Sequence, residues 1–227
     1  IPTVCIPASI DNNLPGSELS IGTDTALNVI VEAMDKIKES GIASRRCFVV
    51  ETMGRDCGYL ALMSGIAAGA ERIYTNEDGI SLDDLANDVH WLRELFAHGR
   101  RLFLAVRNEN ASHNYTTDFI ARLLEEESHG MYDVRQVVLG HMQQGGSPSP
   151  FDRLLANRLG YRALNLIDDE LAAHQDGSWF IGVNESGMRP CSMDTMPSLI
   201  DAAHRRPREQ WWLQLRTIAR MVSDEVR

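Results

Sequence analysis

Ile6-Pro7-Ala8-Ser9-Ile10-Asp11-Asn12-Asn13-Leu14-Pro15-Gly16 follows a short apolar run, Ile1 to Ile6, in which Val4 and Ile6 predict a buried strand. The run gives way to small, polar, turn-forming residues around one carboxylate, Asp11. Ser9 precedes it, and two amides, Asn12 and Asn13, follow it. In open α/β sheets ligands sit at the carboxyl ends of strands, which places Asp11 to accept a proton from a substrate hydroxyl. The other reading is an Asx-turn in which Asp11 caps only its own backbone.

Working outward, strand and helix patterns alternate. Thr23 to Lys38 carries Ala26, Leu27, Ile30, Val31, Met34 and Ile37 at helical spacing, with Gly41 as a stop. Arg46 to Thr52 reads as a strand, closed by Met53-Gly54-Arg55. Tyr59 to Ala70 is a small, apolar helix, and Ile73 and Tyr74 begin another strand. Leu82 to His98 is a helix, then Leu102 to Val106 a strand with Arg107-Asn108-Glu109-Asn110 as its polar exit. Thr117 to Ser128 is an amphipathic helix, and Val134 to Leu139 a strand ending in Gly140-His141. Pro150 to Asp169 is a long helix and Phe180 to Val183 a brief strand. Arg208 to Val226 reads as a terminal helix opened by Pro207, and Gly182 to Pro207 is the loosest stretch. The order predicts an α/β fold with a mainly parallel sheet.

The exits of four of these strands carry Asp11, Arg55, Glu109 and His141. On one parallel sheet they would share an edge and converge on a cleft. Taken alone, His141 reads as readily as a hydrogen-bonded structural histidine. Arg46 and Arg135 open strands and so fall at the opposite edge. Singly they read as solvated arginines; together they fit phosphate ligands donated across an oligomer interface. His141-Met142-Gln143-Gln144-Gly145-Gly146-Ser147-Pro148 leads into a helix whose first turn contains Asp152, where paired glycines permit close backbone approach and a helix start favours an anion. It is not a P-loop, since no Lys-Ser/Thr follows the glycines, and no G-x-G-x-x-G occurs. The histidines lack H-x-x-x-H spacing, so no metal ligand is assigned.

With 227 residues, 44% hydrophobic and 24% charged, the chain is long and apolar enough to bury a sizeable core. A net charge of -10 disfavours nucleic acid and anionic membranes as partners. A phosphorylated metabolite stays in play, because a few converging arginines bind phosphate inside an acidic protein. Cys5, Cys47, Cys57 and Cys191 are scattered without a C-x-x-C pair, as expected of reduced thiols in the cytoplasm. Neither a signal peptide nor a membrane-spanning apolar stretch is present, so the sequons at Asn110, Asn114 and Asn184 carry no weight. Starting directly on a strand without Met, the chain reads as part of something longer.

Three stretches carry a family resemblance: Ala8-Ser9-Ile10-Asp11-Asn12-Asn13, Met53-Gly54-Arg55-Asp56-Cys57-Gly58-Tyr59 and Leu139-Gly140-His141-Met142-Gln143-Gln144-Gly145-Gly146-Ser147-Pro148. They resemble ATP-dependent 6-phosphofructokinase of the eukaryotic type. Arg107-Asn108-Glu109, Tyr115-Thr116-Thr117-Asp118-Phe119 and Arg208-Glu209-Gln210-Trp211-Trp212 look like the C-terminal half of its duplicated chain. The resemblance implies a three-layer α/β fold lacking the N-terminal nucleotide-binding segment. It implies two lobes: residues 1–22 with 144–195 on the nucleotide side, and residues 23–143 with 196–227 binding sugar phosphate. It further implies transfer of the ATP γ-phosphoryl to the 1-hydroxyl of fructose 6-phosphate in glycolysis, with Mg²⁺, in an allosteric homo-oligomer. The segments that bind ATP and Mg²⁺ would lie upstream of residue 1, so the 227 residues alone are expected to be inactive.

By that resemblance Asp11 is the general base and Arg55 acts with it, while Ser9 lies beside the transferred group. Met53, Gly54, Glu109 and His141 match sugar-binding positions. Arg46 and Arg135 match arginines that reach the sugar phosphate from a neighbouring subunit or half. Arg205 matches a phosphate-binding arginine of the regulatory site, which holds fructose 2,6-bisphosphate. Animal C-terminal halves usually carry Ser and Gly where this chain has Asp11 and Arg55. Conversely, Gln144 replaces an arginine of catalytic halves, and Asn13 an aspartate near the metal. A non-catalytic, regulatory half that binds fructose 2,6-bisphosphate is therefore the alternative expectation. Ala8, where pyrophosphate-dependent relatives carry Lys, favours ATP as donor.

Overall fold

A computed structural model describes residues 1–41 and 44–224. In chain order its elements are β1 (Thr3–Cys5), α1 (Thr23–Gly41), β2 (Arg46–Thr52), α2 (Tyr59–Ala68), β3 (Arg72–Tyr74), α3 (Leu82–Ala97) and β4 (Leu102–Asn108). Then come α4 (Thr117–Glu127), β5 (Asp133–Val138), α5 (Pro150–Ala172), β6 (Ser178–Asn184), β7 (Gly187–Ser192), α6 (Met196–Leu199), β8 (Ile200–Asp201), β9 (Arg206–Pro207) and α7 (Arg216–Asp224). The chain divides into two compact units, Ile1–Ala26 with Gly146–Trp211, and Leu27–Gly145 with the chain from Trp212 onward. Residues 196–211 fall in the first unit, whereas the sequence-based division grouped them with the second.

The second unit is built on a four-stranded sheet in the order β3-β4-β2-β5, parallel throughout. Central strands of such sheets are covered on both faces and read as continuous apolar runs. Cys47 to Val50 in β2 and Phe103 to Val106 in β4 are buried accordingly. Leu92, Phe96, Phe103, Ile120 and Leu124 join Cys47, Val49 and Val134 in one core. Burial pushes the Cys47 thiol well above its usual range, as expected of an inert, protonated side chain. Helix starts are set locally. Ser81 and Asp84 form a reciprocal capping box on α3, and Thr116 caps α4 through the Phe119 N–H.

The first unit holds a separate three-stranded sheet in the order β1-β6-β7. Here β1 pairs in parallel with β6, and β6 forms an antiparallel hairpin with β7. Leu155, Leu159, Ala163 and Leu166 of α5 pack with Ile181, Val4 and Ile6. Gly182 lies so close to the Gly16 carbonyl that a Cβ there would collide with it.

Five expectations need correction. Asp11 leaves a strand of the small sheet, while Arg55, Glu109 and His141 follow strands of the large one, so a single shared sheet edge does not account for all four. Arg135 is the third residue of β5, level with Phe48 rather than with Arg46. β4 runs on to Asn108, so Arg107 is an internal strand residue. The loose stretch after Gly182 contains β7, whose Pro and Arg content hid it. The expected terminal helix is also broken: Arg208 donates its backbone N–H to Leu199 and its Nε to Ile200, each at 2.9 Å, extending the β8–β9 ladder. A 3-10 turn follows at Trp211–Leu215 before α7. Residues 225–227, the end of that expected helix, lie outside the described residues.

Candidate functional site

In the first unit the loop after β1 is held by the segment that returns to α1. Ser9 N–H donates to Ile21 O at 3.1 Å, Ile21 N–H to Pro7 O at 3.0 Å, and Thr23 Oγ1 to Ser9 O at 2.8 Å. Asn12, with a left-handed φ of 53°, spreads its amide across the same segment. Its Oδ1 accepts from Ser20 N–H at 2.9 Å and its Nδ2 donates to Glu18 O at 2.8 Å. Asn tolerates that conformation better than most residues, which gives Asn12 a role in the loop that sequence reading did not assign. Ser9 Oγ accepts the Asp11 N–H at 3.2 Å and donates to Asn13 Oδ1 at 3.1 Å. Asp11 therefore sits, 8% exposed, in a turn closed by the serine two residues before it. Arg205 belongs to this unit too, exposed between β8 and β9 with φ of 52°.

In the second unit the exits of β2, β4 and β5 meet at one edge of the sheet. β2 ends in Met53-Gly54-Arg55. Gly54 has φ of 130°, and a Cβ there would strike the Cys57 carbonyl and lie 2.9 Å from Asn108 Nδ2. Only glycine fits so tight a bend. Arg55 also has a positive φ, 51°, and its N–H donates to Glu109 Oε1 at 2.7 Å. A charge-assisted bond of that kind offsets the strain of a non-glycine residue there. Gln143 completes the edge. It is buried in the 3-10 turn Gly140–Gln144, with Oε1 accepting the Met53 N–H at 3.1 Å and Nε2 donating to Gly140 O at 2.9 Å. His141 and Gln144 are exposed on that turn. Met53, Gly54, Arg55, Glu109, His141 and Gln144 are thus brought to one sheet edge.

Beneath this edge lies Arg107, 1% exposed. Nη1 pairs with Glu51 Oε2 at 2.9 Å and donates to Glu109 O at 3.0 Å; Nη2 donates to Ser112 O at 2.6 Å and Nε to Tyr115 O at 3.2 Å. Burial lowers this guanidinium from its usual range and Glu51 opposes the shift, yet so strong a base keeps its charge. The arginine organises the loop from Glu109 to Thr117. Sequence reading left Arg107 in a polar exit and passed over Gln143 for its neighbour Gln144. For Arg107 the available signal was position alone, one residue from a strand end.

Arg46 and Arg135 lie toward the opposite ends of β2 and β5, two ladder rungs apart. Arg46 donates to Ser40 O at 3.3 Å, and Arg135 to Val134 O at 2.8 Å. β5 is an edge strand, and Arg135 is exposed on it. Among the described residues no group of three or more His, Cys, Asp or Glu side chains is arranged to hold a metal ion, so none is assigned to Mg²⁺. Nor is any helix among them long and apolar enough to cross a membrane.

A family model described as phosphofructokinase matches residues 1–167. The chain belongs to that family. It is 44% identical over 234 residues to the muscle-type ATP-dependent 6-phosphofructokinase of Homo sapiens, across 98% of this chain and 30% of that one. The platelet type of Rattus norvegicus is 42% identical over 233 residues, with the same shares. The solved phosphofructokinase of Saccharomyces cerevisiae superposes with a TM-score of 0.95 at 35% identity, covering 100% of this chain and 31% of that one. A pyrophosphate-dependent phosphofructokinase from Marinobacter aquaeolei shares the fold, at a TM-score of 0.66 and 16% identity. The chain therefore spans about a third of the length of these eukaryotic family members. Membership accounts for the mainly parallel α/β architecture and for the three motifs of the two units.

Proposed function

We propose that this chain is part of an ATP-dependent 6-phosphofructokinase that transfers the ATP γ-phosphoryl to the 1-hydroxyl of fructose 6-phosphate, a glycolytic step in the cytoplasm. The observation that carries the reading is the Asp11 loop, a family motif clamped along its length by the segment from Glu18 to Thr23. Phosphoryl transfer needs little from a protein beyond positioning and charge stabilisation, and a carboxylate fixed in place meets the first need. Asp11 takes the proton of the 1-hydroxyl as that oxygen bonds to the γ-phosphorus and the bond from phosphorus to the ADP oxygen breaks. Ser9 lies beside the transferred group, and Arg55 balances its charge. Met53, Gly54, Glu109, His141 and Gln144 hold the sugar. Arg46 and Arg135 reach the 6-phosphate of a neighbouring subunit or half, in a homo-oligomer. Arg205 serves a phosphate of an effector such as fructose 2,6-bisphosphate. ATP and Mg²⁺ supply the phosphoryl group and screen its charge when bound; no residue described here is assigned to them. The first unit belongs to the nucleotide-side lobe and the second to the sugar-phosphate lobe.

Asp11→Asn in the full-length protein tests the reading. The hydroxyl loses its proton acceptor, and kcat is expected to fall by roughly 100-fold or more. If kcat at saturating substrate holds while activation by fructose 2,6-bisphosphate changes, the site is regulatory instead. Calorimetry with fructose 6-phosphate and Arg46→Ala tests the shared phosphate site, where loss of the arginine should weaken binding.

A further inference from the structure

Asp152 opens α5 and is 2% exposed, yet it pairs with no cation among the described residues. Both of its carboxylate oxygens accept hydrogen bonds from the start of a different helix. Oδ1 accepts the Gly22 N–H at 2.9 Å, and Oδ2 accepts the Thr25 N–H at 2.8 Å and the Thr25 hydroxyl at 2.5 Å. The Asp152 N–H is itself capped by Ser149 Oγ at 3.1 Å, and the Ser149 N–H donates to Thr25 Oγ1 at 3.0 Å. Ser149 also donates its hydroxyl to Asp24 Oδ2 at 2.5 Å. The first N–H groups of a helix lack partners of their own and carry partial positive charge. At α1 a carboxylate more than a hundred residues away in sequence fills that place.

Gly22 and Thr25 lie on either side of Thr23, which donates to Ser9 O, and Gly22 directly follows Ile21, which brackets Pro7 and Ser9. The contacts run without a break from Asp152 through residues 21–25 to Ser9, whose hydroxyl accepts the Asp11 N–H. We infer that Asp152 is the positioning residue for the Asp11 loop: by capping α1 from α5 it fixes the segment on which residues 7–13 are laid. This rests on the assignment of Asp11 as the base. The carboxylate does no chemistry; its role is to hold the base within the small tolerance that phosphoryl transfer allows, where a displacement of about 1 Å costs on the order of 100-fold in rate.

The test uses Asp152→Asn in the full-length protein. The amide keeps the shape but sets an NH2 donor against the N–H donors of α1. Expected are a roughly 10- to 100-fold lower kcat, a KM for fructose 6-phosphate within about threefold of wild type, and faster amide exchange in residues 7–13. A structural role alone would lower the melting temperature and leave kcat per folded molecule unchanged; that result, or unchanged exchange in residues 7–13, overturns the inference. Should Asp152→Asn fail to fold, Thr25→Val removes one of the three bonds to Asp152 together with the acceptor of the Ser149 N–H, and a several-fold loss of kcat restored by Thr25→Ser is expected. Equal kcat for Thr25→Val and wild type then overturns it. Asp11→Asn run in parallel separates the two failures. Normal kcat there sinks the assignment of the base, while a collapsed kcat beside an unaffected Asp152→Asn sinks only the positioning role.

Discussion

The buried side chain of Gln143 joins two strand exits: its Oε1 accepts the Met53 N–H at 3.1 Å, tying the turn after β5 to the bend after β2. The bond fixes the backbone of Met53, a residue proposed to hold the sugar, and it comes from the first glutamine of Gln143-Gln144.

Removing that link should be felt in substrate binding more than in the chemical step. Gln143→Leu leaves the Met53 N–H without its acceptor, which costs about 1–3 kcal/mol where the group stays buried. Steady-state kinetics of the full-length protein should show KM for fructose 6-phosphate raised about tenfold with kcat less affected. An unchanged KM would show that Met53 holds its place without the glutamine.

Gly54 admits no side chain. Gly54→Ala meets both the Cys57 carbonyl and a φ of 130° that L-residues rarely adopt. The loop must open, at a cost of about 1–3 kcal/mol, and the Arg55 bond to Glu109 goes with it. Thermal unfolding should report the loss of stability, and sugar-phosphate binding measured by calorimetry should weaken in parallel.

Arg107→Leu strands Glu51 and frees the carbonyls of Glu109, Ser112 and Tyr115. Breaking a buried pair by removing one partner typically costs about 3–5 kcal/mol. Arg107→Lys should recover only part of this, because an ammonium cannot reproduce the planar fork that reaches several acceptors at once. Denaturant unfolding of the three proteins gives the order wild type, Lys, Leu. Equal stability of the Lys and Leu variants would sink the argument from fork geometry.

The α3 cap carries a pH signature. Hydrogen bonds from the Ser81 hydroxyl and N–H, helped by Arg72, hold the Asp84 carboxyl below its usual range. A depressed carboxyl contributes stability above its unfolded pKa of about 3.9 and loses it as pH falls through the lower folded value. Asp84→Asn should therefore unfold at a lower temperature than wild type at pH 7, with the gap closing below about pH 4. A gap that persists undiminished at low pH would assign the effect to packing rather than to charge. Exposure of Asp84 keeps the effect small, about 0.5–2 kcal/mol as for other caps.

Sequence alone determined the alternation of strands and helices, because apolar periodicity records which face of each element is covered. β2 was legible to the residue, and the starts of α1, α3, α4 and α5 were marked by their own caps or first apolar turns. The motifs around Asp11, Arg55 and His141 stood out because small and polar residues interrupt apolar runs there. Tertiary structure decided what depends on pairing between distant segments. It put β1 and β2 in different sheets, since a parallel ladder leaves no trace in either strand's own pattern. It also turned Arg107, Gln143 and Asp152 inward. A buried polar side chain reads in sequence like a solvated one, and only the partners it meets across the fold distinguish the two.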